Sequence, residues 1–146
     1  ASAFNQPLSL DTSRVTSMAG MFQGALAFNQ PLGFDTSSVT DMRGMFNGFM
    51  WREPSAFNQP LSLNTSSVTD MASMFRYSMF NQPLSFDTSR VTTMAYMFQS
   101  AQAYNQPLSF NTSRVTSMDY MFGSAQAYNQ PLSFNTSRVT SMDYMF

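Results

Sequence analysis

Phe80-Asn81-Gln82-Pro83-Leu84-Ser85-Phe86-Asp87-Thr88-Ser89-Arg90-Val91-Thr92-Thr93-Met94-Ala95-Tyr96-Met97-Phe98 decides the fold, because edited copies of it fill the 146-residue chain. Asn-Gln-Pro starts at Asn5, Asn29, Asn58, Asn81, Asn105 and Asn129, in steps of 24, 29, 23, 24 and 24 residues. A fixed period of this size marks a stacked array, in which no unit buries its apolar face until a copy lies on it. One array therefore spans residues 1–146, with units 4–27, 28–56, 57–79, 80–103, 104–127 and a partial 128–146. The last two, Tyr104 to Phe122 and Tyr128 to Phe146, are identical.

Within a unit, Pro107-Leu108-Ser109-Phe110 alternates apolar and polar, which predicts a short parallel strand with Pro at its first position. Asn111-Thr112-Ser113 then predicts a capped turn. Val115, Met118, Met121 and Phe122 follow at near-helical spacing and predict a short helix or 3-10 segment over residues 116–122. The expected fold class is an α/β solenoid, leucine-rich-repeat-like, with one strand and one short helix per unit of about 24 residues. Leu8, Leu32, Leu61, Leu84, Leu108 and Leu132 should form one core column, and the valines from Val15 to Val139 another. Phe4, Phe28, Phe57, Phe80, Tyr104 and Tyr128 should stack as an aromatic spine. At ~4.8 Å per rung the six units make a rod of about 30 Å. The paired Asn and Gln side chains should form amide ladders between rungs.

The consensus F-N-Q-P-L-S-F-D/N-T-S-x-V-T-x-M-x-x-M-F-x-x-A resembles the BspA-like surface repeat, a branch related to leucine-rich repeats. The resemblance covers the whole chain. It implies an extracellular or cell-surface, non-enzymatic array serving adhesion or a fibrous coat. The chain departs from the usual pattern in carrying Leu10, Phe34 and Phe110 where such repeats often carry Trp.

Composition removes several kinds of chemistry. There is no Cys, His, Lys or Ile, and Glu53 is the only Glu. A Ser or Thr nucleophile thus lacks an ordinary base, and no enzyme is expected. No cofactor is expected. Net charge is −1, so no nucleic-acid footprint is expected, and no apolar run reaches the ~20 residues of a membrane span. No charged-then-apolar leader opens the chain. The uncapped units are expected to belong to a longer array, or to a subunit that stacks head-to-tail on itself.

Candidate sites follow the rows. Met-x-x-Met pairs such as Met94 and Met97 have Cu(I)-ligand chemistry, but their place between Val and Phe makes them core. The Asp/Asn row, Asp11, Asp35, Asn64, Asp87, Asn111 and Asn135, reads as turn caps rather than a Ca²⁺ site, because Asn interrupts the carboxylates. Asn64, Asn111 and Asn135 also begin glycosylation sequons. Arg14, Arg90, Arg114 and Arg138 share a row; three on consecutive rungs repel by ~1 kcal/mol or more per pair, which Asp119 and Asp143 are placed to relieve. The row is either a solvated edge or a strip for sulfated or uronic polysaccharide. The five extra residues of the second unit bring Trp51 and Arg52, a candidate contact for glycan or cell-surface partners, or else a flap with Phe49 folded over the next rung. The row Thr12, Thr36, Thr65, Thr88, Thr112 and Thr136 raises an ice-binding alternative.

Overall fold

The computed structural model describes residues 2–50 and 53–146. Units stack in register: Ser17, Asp41, Asp70, Thr93, Ser117 and Ser141, one from each, are joined in sequence by single parallel bridges. The columns expected from the repeat are present, but the elements expected within a unit are not. Among the described residues there is no helix, and strand pairing is limited to isolated bridges. The leucine-rich-repeat-like α/β unit is therefore corrected to a rung of consecutive tight turns.

The hydrogen bonds of the fourth rung explain this. Met97, Gln99 and Ala101 N–H donate three residues back within the rung, to the carbonyls of Met94, Tyr96 and Phe98, at 3.0–3.2 Å. The intervening N–H groups of Met94, Tyr96, Phe98 and Ser100 donate to the next rung, to the carbonyls of Ser117, Asp119, Met121 and Gly123, at 2.8–3.1 Å. Alternation between turn and ladder satisfies the backbone without either an i→i+4 helix or a continuous strand. It also requires a reversal every fourth residue. Tyr96 and Ser100 have φ of +61° and +52°, while Gly20 and Gly24 hold the same places in the first rung at +63° and +67°. An α-helix has no room for such angles. The i, i+3, i+6 spacing read as helical reflects the three-residue span of a single turn, as from Met94 to Met97.

The missing strand has a different cause. Pro83 has no N–H to give, and residues 82–87 exchange no backbone bonds with the described residues of neighbouring rungs. Side chains hold the rungs there. Asn81 Oδ1 accepts the Asn105 N–H at 2.9 Å and the Gln106 amide at 3.2 Å. The Asn-to-N–H bond recurs at 2.9 Å at each of the five rung junctions. At the far end of the segment, Thr88 Oγ1 donates to the Asn111 carbonyl at 3.1 Å.

The core is a column of apolar side chains inside this coil. Val91, Met94, Met97 and Phe98 have no exposed surface, and their equivalents in rungs two and three are as deeply buried. Two aromatic columns interleave. Phe80 stands 6.1 Å from Tyr104 above, and Phe98 stands 5.6 Å from Phe122; between the columns, Phe98 and Tyr104 approach to 4.2 Å. Only the first was expected. The wider spacing falls on the Pro-Leu-Ser-Phe side, where rungs are joined by side chains rather than by backbone.

Candidate functional site

The Asp/Asn row turns the chain from the extended segment into the coil. In every rung its Oδ1 accepts the N–H of the Ser two residues on, at 2.9–3.1 Å. Asp and Asn serve this role alike, because each offers the same acceptor oxygen. The Ser13 and Ser89 hydroxyls and N–H groups hold Asp11 and Asp87 below the ordinary carboxylate range, and the Ser37 N–H and hydroxyl do the same for Asp35. The oxygens expected of a cation site are thus engaged locally, and no metal-ligating cluster occurs among the described residues. Asn64, Asn111 and Asn135 are exposed, as an acceptor of glycan must be.

Arg90, Arg114 and Arg138 lie exposed on consecutive rungs. The carboxylates expected to relieve them do not reach them. Asp119 instead accepts from the Ser117 hydroxyl at 3.1 Å, from the Ser141 hydroxyl, and from the Asp143 N–H at 3.0 Å. Ion pairing among the described residues is confined to Arg43, 3.2 Å from Asp41 and 4.0 Å from Asp70. The Arg row therefore carries unneutralised like charge along one edge.

The insertion of the second rung is bounded by two bridges. Met50 and Glu53 form an antiparallel bridge, and the chain rejoins the stack where Ser55 pairs with Ser78. Phe49 is 63 % exposed, so it does not fold over the neighbouring rung. Trp51 and Arg52 lie outside the described residues. Gly48 is required at the start of the insertion: a Cβ there would sit 2.2 Å from the Tyr77 carbonyl oxygen.

The threonine row proposed for ice lies inside except at Thr136, which is exposed. Thr12, Thr36, Thr65, Thr88 and Thr112 are buried, so they present no face to a crystal. The exposed row is instead Thr16, Thr40, Thr69, Thr116 and Thr140. From Thr40 onward, each of its hydroxyls donates to the carbonyl of the rung before.

One surface feature was missed in the sequence. Tyr96, Tyr120 and Tyr144 stack at 5.2 and 5.0 Å along the outside of the coil. All three have positive φ, 51–61°, at the place filled by Gly20 and Gly44 in the first two rungs. Ring stacking offsets part of the cost of the left-handed backbone, roughly 1–2 kcal/mol per residue. The Arg76 guanidinium lies 5.4 Å from the Tyr96 ring and closes one end of the stack. Burial, then the neighbouring phenols, push the Tyr120 hydroxyl above its ordinary value. The signal was three Tyr recurring at the repeat period, just before Met-Phe.

Two overlapping stretches, residues 1–63 and 48–146, match the model of a family described as Mycoplasma protein of unknown function, DUF285. No curated protein and no solved structure matches the chain.

Proposed function

The chain belongs to the DUF285 family, whose function is unknown, and we propose that it is a non-enzymatic structural or adhesive repeat of an extracellular or cell-surface array, assembled by stacking rung on rung. The observation that supports this is the sameness of the junctions. Each rung offers a row of carbonyls and Asn Oδ1 acceptors that the neighbouring rung fills at equivalent positions. A contact of this head-to-tail kind does not close on itself, so repetition lengthens the stack. Likeness of the consensus to BspA-like surface repeats supports a surface location; it rests on residues, not on a strand-and-helix unit. Negative-stain imaging across a concentration series tests the assembly. Rods of graded length are expected, and isolated single chains at every concentration would overturn it.

A second reading has its own support in the unpaired Arg90, Arg114 and Arg138. A linear sulfated or uronic polysaccharide laid along the stack would neutralise them one rung at a time. Retention on immobilised heparin should fall with salt and be abolished in the Arg90→Ser, Arg114→Ser, Arg138→Ser triple variant. Salt-insensitive retention, or retention unchanged in that variant, would refute the strip.

A further inference from the structure

A second surface, away from the Arg row, is built for a different ligand. A half-open groove of about 680 Å³ runs across the return turns of rungs three to five, within the size of small-ligand clefts. We propose that this groove is a binding subsite for a neutral hexose or N-acetylhexosamine oligosaccharide. The proposal stands apart from the assembly reading and from the Arg strip.

Three observations carry it. The first is lining chemistry. The walls carry the amides of Gln99, Gln102 and Gln126, the hydroxyls of Ser100 and Ser124, and the phenol of Tyr77, over the 39 % exposed Met79. No charged side chain lines the groove among the described residues, so an ionic ligand would lose its water without gaining a counter-charge. An apolar peptide would in turn strip water from the amides and hydroxyls. Hydroxyl-rich rings satisfy both demands: their edges pair with amides and their C–H faces rest on Met79, while the Tyr77 ring and hydroxyl are already held by the Arg76 guanidinium, 4.6 Å from the ring and 3.0 Å from the oxygen.

The second is availability. The amides of the Asn-Gln-Pro segments are consumed in ladders between rungs, as at Asn81 and Gln106. The side chains of Gln99, Ser100, Ser124 and Gln126 make no such bond among the described residues, and Gln99 Oε1 is shielded from water without a partner. The third is placement. Ser100 and Ser124 have φ of +52° and +58°, and Tyr77 has +51°, at the place that Gly24 occupies in the first rung. The left-handed φ belongs to the turn itself and recurs at Ser73, Tyr96 and Tyr120 outside the groove; what it provides here is that Ser100 and Ser124 hold the same position on successive rungs. Ser100 with Gln102, and Ser124 with Gln126, present one pattern twice, a rung apart (~4.8 Å). An oligosaccharide likewise offers a ring with a hydroxyl-bearing edge at each step along its length.

Saturation-transfer NMR and calorimetry with cellohexaose and chitohexaose test the subsite, with a heparin hexasaccharide as the anionic control. A neutral hexasaccharide is expected to bind with an affinity that does not change with salt. Ser124→Gly combined with Gln126→Ala truncates two exposed side chains and should weaken that binding by about tenfold or more, with the melting temperature kept. Arg114→Ser should leave it unchanged. No transfer to either neutral hexasaccharide from natively folded protein, or full affinity in the double variant, would overturn the proposal.

Discussion

Replacing Asn81 by Ala tests the amide ladder that stands in for the missing strand. The Asn81 Oδ1 accepts the Asn105 N–H at 2.9 Å and the Gln106 Nε2 at 3.2 Å; Ala removes both bonds. Two partners soften the loss. Gln106 keeps a bond to the Asn81 carbonyl at 3.3 Å, and the backbone N–H of residue 81 keeps Asn58 Oδ1 at 2.9 Å. What is left unpaired is the half-buried Asn105 N–H. An unsatisfied donor of that kind costs about 1–3 kcal/mol, and a lost side-chain bond about 1 kcal/mol. We therefore expect a loss of about 2 kcal/mol, or about 6–8 °C in melting temperature for a chain of this size. Because Asn81 is called on only as an acceptor in these bonds, an aspartate would serve in its place at neutral pH. Asn81→Asp should fall within about 0.5 kcal/mol of the parent, as an ordinary surface substitution does. The lesion lies between the fourth and fifth rungs, so it weakens a nearest-neighbour term of the stack. The Asn81→Ala melt in urea should broaden as well as shift. Far-UV circular dichroism in urea, read for both variants, gives the comparison. An Ala variant as stable as the parent, or an Asp variant as damaged as Ala, would refute the acceptor ladder.

Other substitutions probe other parts of the rung. Gly48→Ala drives a Cβ to 2.2 Å from the Tyr77 carbonyl and 2.9 Å from the Ser55 N, and with backbone on both sides it should cost more than about 3 kcal/mol, read by urea melts. Ser73→Gly relieves a left-handed residue at φ +58° and should raise stability by about 1 kcal/mol, read the same way. The carboxyls of Asp11, Asp35 and Asp87 are held below their ordinary value in the fold. They therefore add stability above the unfolded carboxylate value, and that contribution is lost as pH falls through the lower folded one. Melting temperature should decline below about pH 4, and Asp87→Asn, which copies the neighbouring rungs, should flatten the decline. Met97→Ala empties a fully buried position and should cost about 2–5 kcal/mol, measured by denaturant unfolding.

Much of the architecture was legible because repetition is a long-range statement written locally. Asn81 and Asn105 had to stand over one another once the period was read, and so did Phe80 and Tyr104. The turn-cap row was legible for a similar reason: Asp87 and Asn111 are interchangeable only where a short acceptor is wanted. The surface was less so. A row of Arg at the repeat period does not say whether Asp119 turns toward it or toward Ser141, since the period fixes the rung a side chain stands on and not the partner it takes.

By itself, then, the chain of residues determined the stack, its register and which columns are apolar, since identical units bury identical faces only against each other. Tertiary structure alone decided the conformation inside a rung. Val-x-x-Met-x-x-Met-Phe suits a helical turn and a train of i→i+3 turns equally well. The choice is made by the neighbouring rung, whose carbonyls accept the N–H groups of Met94, Tyr96, Phe98 and Ser100. Those bonds outweigh the left-handed backbone at Tyr96 and Ser100, and they exist only once two rungs have met.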